Sequence, residues 1–479
     1  MAKQSATNLS TFQSSNAPKP SLGFLSPLLG LIECVALLLV ALLIWLMFNG
    51  STIATFLLVP VLLLAFIPYF VAVYVCAHPQ ALTTVRAVLF FTVVFRLIFL
   101  GTPPELSDDI HRYIWEGRAQ NHGYNPYVYA PNAAELEPLR DDNYRHINHP
   151  EIPAIYPPFA QLLFSALALL PQASGYWLGL FFNPLTYAKF LFGGIDCLNV
   201  WLLVLILRER KLPHQFALIY GWNPLPALEF AGSGHMLTVA ISLFLATCLL
   251  VQRNRQVFAA ISAGLAFSMH FLIVAPLLHA YNALDKRWLP VVAIVFVASY
   301  VPFLSAGVHA LDGLTHYAAM WKFNDSLFGL IAWPFRETDR ASLGSGIYLA
   351  YKWPKVLCGA VWLGTALWFI FRQKEWLRAG YLMTGMMLLL SATVHPWYVT
   401  LILPFLCFYR NLGWLAFTAL VTISYSAVAV ERLTGAWPAI TLFPTREGLE
   451  LYFIGWLEYA PFFVLFAWGA FRRKKETRS

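Results

Sequence analysis

The chain has 479 residues, of which 59% are apolar and only 12% charged. A soluble domain carries about a quarter charged residues, so a water-soluble globular protein is excluded. The formal net charge of +8 is gathered in short basic clusters between apolar runs, the pattern of cytoplasmic loops and not of a nucleic-acid surface.

The first 22 residues, rich in Ser, Asn, Gln and Pro, read as a disordered cytoplasmic tail. The next apolar run is too long for a signal-peptide core and is expected to remain as the first span. A crossing needs about 20 apolar residues, and Phe24–Phe48 and Ile53–Ala77 meet that, followed by Arg86–Gly101. A polar stretch, 102–156, comes next. Further apolar runs are Phe159–Leu170, Tyr187–Leu207, Phe216–Ala231, Leu237–Val251, Phe258–His279, Trp288–Leu304, Trp353–Phe371, Ala379–Val394, Tyr398–Phe408, Leu412–Val430 and Leu451–Phe471. The expectation is an all-α, polytopic membrane bundle of about 12–14 membrane segments over 23–471, with a basic tail at 472–479. Cys34, Cys76, Cys197, Cys248, Cys358 and Cys407 each lie in an apolar run and read as buried filler, with neither a disulfide framework nor zinc spacing.

Lys and Arg set the orientation. The clusters at 208–211, 253–255, 286–287, 372–378 and 472–478 are placed in the cytoplasm, with both termini. Three spans then put 102–156 on the outer face. Two runs between Tyr156 and Arg208 break the parity, as does Phe258–His279 with its two basic flanks. A re-entrant segment and a broken helix pair would repair it. No internal repeat is visible, which weighs against a secondary transporter.

The most informative segment runs from Ser107 to Pro131. Ser107 is a natural N-cap ahead of two acids, Asp108 and Asp109. Ile110, Tyr113, Ile114 and Gly117 share one helical face, and Gly123 is a C-terminal stop. Arg112 is four residues from both Asp108 and Glu116 and can pair with either. The following Tyr-rich half, with Pro126 and Pro131, is expected to be extended. The acids have two readings: helix capping with salt bridges, or a general base at the membrane surface. Glycosyl transfer from a phosphate donor needs a base for the acceptor hydroxyl and cations for the leaving phosphate.

The stretch Ser-Asp-Asp-Ile-His-Arg-Tyr-Ile-Trp-Glu-Gly-Arg, then Gly-Tyr-Asn-Pro-Tyr-Val-Tyr-Ala-Pro, resembles the first outer loop of bacterial GT-C superfamily membrane glycosyltransferases. The nearest likeness is to polyprenyl-phosphate-mannose-dependent mannosyltransferases. The run from His149 to Pro158, Trp222-Asn223-Pro224 with Gly232-Ser233-Gly234-His235, and His395-Pro396-Trp397-Tyr398 resemble further motifs of that family. The resemblance implies hexosyl, most nearly mannosyl, transfer from a polyprenyl-phosphate donor to a lipid or glycan hydroxyl, in the plasma (inner) membrane of a bacterium. It implies a catalytic base at Asp109 or Asp108. One departure stands out: such sequences often carry an acid two residues after the histidine, where this chain has Leu237.

Substrate-binding candidates are Arg112, Arg118, Arg96, His235, His395, Tyr127 and Trp115. Arg96 sits near the outer end of its span, to reach a phosphate or to snorkel. Lys189 and Asp196, seven apart on one helix face, pair with other helices or hold the phosphate. The aromatic residues serve an interface belt or a sugar face. Asp108 and Asp109 together could ligate a divalent cation, although no cluster has clear metal spacing. The absence of a Gly-rich phosphate loop argues against a nucleotide-sugar enzyme. The rival function is a transporter or flippase of a lipid-linked sugar.

Overall fold

A computed structural model describes residues 25–476 apart from 79–82, 172–182, 278–281, 336–351, 373–374, 439 and 443–449. The expected tail at 1–22 lies outside the described residues, as do 477–479. The last helix, Tyr452–Glu476, runs on into the stretch expected as the basic tail.

The architecture is all-α, with no strand among the described residues. Two long apolar helices, α1 (Leu25–Phe48) and α2 (Thr52–Cys76), form a hairpin. Ser51 turns it by accepting the Ala54 N–H on its hydroxyl at 3.2 Å. Leu37, Val40, Ala41 and Ile44 face inward from α1, while Leu31, Val35, Leu38, Leu42 and Trp45 face outward. A helix apolar on both sides suits a protein core on one side and lipid on the other. Helix α3 (Val85–Leu100) packs on α1 and leads into the polar loop, whose main element is α4 (Asp109–Asn121).

Five helices are long and apolar enough to cross a membrane: Leu25–Phe48, Thr52–Cys76, Pro184–Glu209, Lys352–Arg372 and Leu412–Thr434. A sixth is possible by length and composition if Lys286–Ser299 and Val301–Met320, bent by 87°, count as one span. The protein is a polytopic membrane protein. Several of the expected 12–14 segments are shorter apolar helices of 10–17 residues. Proline accounts for some of this: Pro224 and Pro226 interrupt the Phe216–Ala231 run, because proline cannot donate a helical hydrogen bond.

Two features of the described helices bear on the parity of the crossings. Helix α5 (Pro158–Ala168) has 11 residues, about 16 Å, half of a bilayer core. The next helix among the described residues, α6 (Pro184–Glu209), has 26 residues, about 39 Å. Its start lies beside the end of α3, where Lys189 donates to Leu100 O at 3.0 Å and to Thr102 O. Helix α7 (Leu237–Gln252) is followed by α8 (Gln256–Met269), which stops at His270 in extended conformation (φ −158°, ψ 127°). The chain then returns, so that the Asp285 N–H meets Gln256 Oε1 at 3.0 Å. The run is a broken helix pair that begins and ends on one side. Four basic clusters are linked around that side, with Arg253 Nε on Glu209 at 2.9 Å and Arg210 on Glu375 at 3.1 Å.

Candidate active site

Helix α4 is fixed by its crossing with α5. A Cβ on Gly117 would stand 2.0 Å from Phe164 O, so only glycine permits this approach. Tyr113 stacks on Phe164 with centroids 4.5 Å apart, and Gln161 donates to Glu116 Oε2 at 2.6 Å. The helix begins at Asp109, with Ser107 Oγ 3.4 Å from the Asp109 N–H. Gly123 ends it with φ +87°. The Tyr-rich half that follows is turned and not extended: the Val128 and Tyr129 N–H groups both bond Asn125 O at 3.0 Å.

Asp109 is thereby aimed into a cavity of about 1320 Å³, larger than the ~300–1,000 Å³ of ordinary ligand pockets. Its Oδ2 accepts from Tyr156 Oη at 3.1 Å and Tyr113 Oη at 3.5 Å, with His235 Nδ1 also at 3.5 Å. Burial pushes the Asp109 carboxyl up to about 6, against the pull of the Tyr156 hydrogen bond. Asp108 lines the same cavity and accepts from Asn148 Nδ2 at 2.6 Å. Burial, then the charge of Asp109, pushes it up to about 7. Among the described residues no group of three or more His, Cys, Asp or Glu is arranged to hold a metal ion.

The second wall comes from a backbone break between α6 and α7. A π turn, Ala227–Gly232, is followed by Gly234 at φ +77°. A Cβ there would meet Ile110 Cδ1 at 2.3 Å, so glycine lets α4 close over the loop. His235 then reaches Asp109, its ring stacked on Trp397 at 3.9 Å. His395 is stacked between Trp397 (4.3 Å) and Phe323 (4.9 Å), and all four rings line the cavity.

The other sequence candidates are distributed differently. Arg112 touches the cavity, but its donors are directed to Glu116 Oε1 (2.8 Å), Ile152 O, Pro153 O (3.1 Å) and His149 O (3.3 Å). It holds the 149–153 strap against α4. Its helical partner is Glu116, not Asp108. Arg96 is buried beside Asp196, with Nε at 2.8 Å, and also donates to Gly221 O. Arg118 pairs with Asp141 away from the cavity lining. Tyr127 is buried and donates to Tyr156 O at 2.7 Å, and Trp115 is buried against Tyr144. The structure does not bring these last four to the cavity. All six cysteines are free, none of them exposed.

The cavity also gathers residues that were not singled out. Tyr156 lies inside the His149–Pro158 motif and Glu229 between Asn223 and Gly232, so both had a sequence signal. Tyr317, Lys322, Lys355 and Arg432 line the wall without one. Residues 26–285 match the family described as alpha-(1->6)-mannopyranosyltransferase, N-terminal domain, a GT-C-type mannosyltransferase family. That is more than half of the chain. The chain belongs to this family. No curated protein and no solved structure matches it. As a member of the mannopyranosyltransferase family the protein is a glycosyltransferase of the membrane. The matched residues carry Asp108, Asp109, Tyr156 and His235, while Lys322, Lys355, His395 and Arg432 lie beyond them.

Proposed function

We propose that the protein transfers a mannosyl unit from a polyprenyl-phosphate donor to a hydroxyl of a lipid or glycan acceptor, with Asp109 as general base. The observation that carries this reading is the Asp109 carboxylate: one oxygen held by two tyrosines, on the wall of a large cavity, with a proton affinity raised to about 6. A base works best when its pKa lies near the working pH. Asp109 takes the acceptor proton as the acceptor oxygen attacks the anomeric carbon. The bond to the donor phosphate breaks in the same displacement, and the configuration inverts. Lys322, Lys355 and Arg432 line the same cavity and bring its positive charge for the leaving phosphate, Lys355 resting on Ala318 O and Ala319 O and Arg432 beside Glu105 until the donor enters; His395, which burial keeps neutral, can add a hydrogen bond. Asp108, bonded to Asn148, is the supporting acid.

The site faces outward in this reading. Its support is that the linked basic clusters sit at the opposite end of α6 from Lys189 and the α3 terminus, and basic loops stay cytoplasmic. A bacterial plasma membrane with both termini inside fits the same rule.

The test uses purified protein in lipid, radiolabelled polyprenyl-phosphate mannose and a lipid extract as acceptor. Asp109→Asn is expected to lose about 100-fold or more of the transfer rate, the loss expected of a general base, and Asp108→Asn clearly less. Full transfer by Asp109→Asn would sink the mechanism.

A further inference from the structure

The departure noted after His235 has a counterpart on the other side of the ring. Position 237 carries no acid, and Glu229, eight residues before Leu237, stands against the ring instead. Glu229 lies on the π turn and is fully buried. π turns recur at functional sites, and this one is closed by the His235 N–H bonding Glu229 O at 2.9 Å.

The imidazole thus stands between two carboxyl groups. Its Nδ1 is 3.5 Å from Asp109 Oδ2 and its Nε2 is 3.3 Å from Glu229 Oε2; both are close contacts, and neither ring nitrogen forms a hydrogen bond in this arrangement, so both nitrogens and Glu229 Oε2 are buried polar atoms still to be answered. Glu229 Oε1 accepts from the Tyr425 hydroxyl. The ring is 1% exposed and pressed flat against Trp397. A neutral imidazole has one N–H and one lone pair. A lone pair facing a carboxylate oxygen is repulsive, so each nitrogen–oxygen line here needs a proton.

We propose that Glu229 is a positioning residue for the transfer reaction: by sharing a proton with His235 Nε2, it fixes the ring with Nδ1–H directed at Asp109. The inference rests on Asp109 being the base. With Asp109 ionised, as a base must be, and one net negative charge over the three groups there are two proton placements. Either Glu229 carries its proton and donates to Nε2, or the ring is an imidazolium donating to both acids. Nδ1–H faces Asp109 Oδ2 in both. Asp109 Oδ2 then takes the tyrosines and the histidine, and Oδ1 is left for the acceptor hydroxyl. The tautomer of a histidine is set by what its other nitrogen bonds, so Glu229 acts on Asp109 without touching substrate.

Two variants and one spectrum test this. Glu229→Leu removes the proton source, and kcat is expected to fall about tenfold or more while KM for the polyprenyl-phosphate donor stays within about twofold. Glu229→Gln donates an amide N–H to Nε2, and it should recover most of the kcat lost in the Leu variant. Nitrogen-15 spectra of histidine-labelled protein in lipid give the His235 signal, assigned by its loss in His235→Gln. Nδ1 should be protonated in the wild type and in Glu229→Gln. An unchanged kcat in Glu229→Leu, a loss confined to KM, a Gln variant as poor as Leu, or an unprotonated Nδ1 in the wild type would each overturn the proposal. Failure of the function itself reads differently: Asp109→Asn would then transfer normally, whatever the nitrogen spectrum shows.

Discussion

Two buried acid clusters lie near the same end of the bundle, and they are used in opposite ways. Asp196 takes two bonds from Arg96 on its Oδ2, at 2.6 and 2.8 Å, and the Tyr220 hydroxyl on its Oδ1 at 2.5 Å. Arg96 spends its remaining reach on Thr92 O and Gly221 O. Both oxygens of Asp196 and all three nitrogens of Arg96 have protein partners, and neither residue lines the cavity. Asp109 keeps no arginine to itself. It has two phenols bonded to one oxygen, an imidazole beside it, and opens on the cavity. Saturation separates the two: an ion pair with all its partners holds helices together, and an acid left half-answered can do chemistry.

The largest expected effect breaks the saturated cluster. Asp196→Ala strands the Arg96 guanidinium in the bundle interior, and removal of one partner of a buried pair costs about 3–5 kcal/mol. Thermal unfolding in detergent should show a large loss of stability, with activity lost in proportion to folded protein. Asp109→Asn should behave inversely, keeping its melting temperature while transfer falls about 100-fold, a loss worth about 2.7 kcal/mol of barrier. An Asp196 variant that folds normally but transfers poorly would reverse the two assignments.

A smaller effect sharpens the comparison through pH. The Asp109 carboxyl lies at about 6, above an ordinary aspartate. Between the ordinary value and about 6 the folded state binds more protons than the unfolded state. This group therefore favours the fold more as pH falls through about 6 toward 4. The rate runs the other way, since a protonated base is idle. Transfer should decline as pH drops through about 6, with Asp108, at about 7, shaping the upper part of the curve. The melting temperature of Asp109→Asn should depend less on pH than that of the wild type over the same range. A rate constant with pH down to 4 would remove Asp109 from the chemistry.

Legibility in the sequence followed the range of the interaction. Helix α4 was readable because its signals are local: acids in the first turn, an apolar face, and Gly123 at the stop. The lipid-facing class was readable from composition. The partner of Arg96 was not, because Asp196 lies 100 residues away on another helix. Trp115 and Tyr127 suited a sugar face by residue type, yet type carries no direction. Trp115 packs under Tyr144, and Tyr127 pins Tyr156 from behind. Glu229 stood in plain view, but only a π turn brings it back to His235. A regular helix gives no reason to look six residues upstream.

The smallest effect concerns Arg118. By sequence it was as good a phosphate ligand as Arg112, one and a half turns along the same helix. Its guanidinium meets Asp141, with 27% and 40% of the two side chains exposed. An exposed pair of this kind contributes about 0.2–1 kcal/mol, and salt screens it further. Arg118→Ala should therefore shift the melting temperature by a degree or two, and the shift should shrink as salt is added. Transfer should change by less than about twofold. The contrast with Arg112 is the informative part. Arg112→Ala frees the carbonyls of the 149–153 strap and leaves Glu116 without its 2.8 Å partner, so Tyr156 loses its support behind Asp109. A transfer loss in Arg118→Ala equal to that in Arg112→Ala would mean that the phosphate reaches outside the cavity, and that burial on this helix does not separate binding from scaffold.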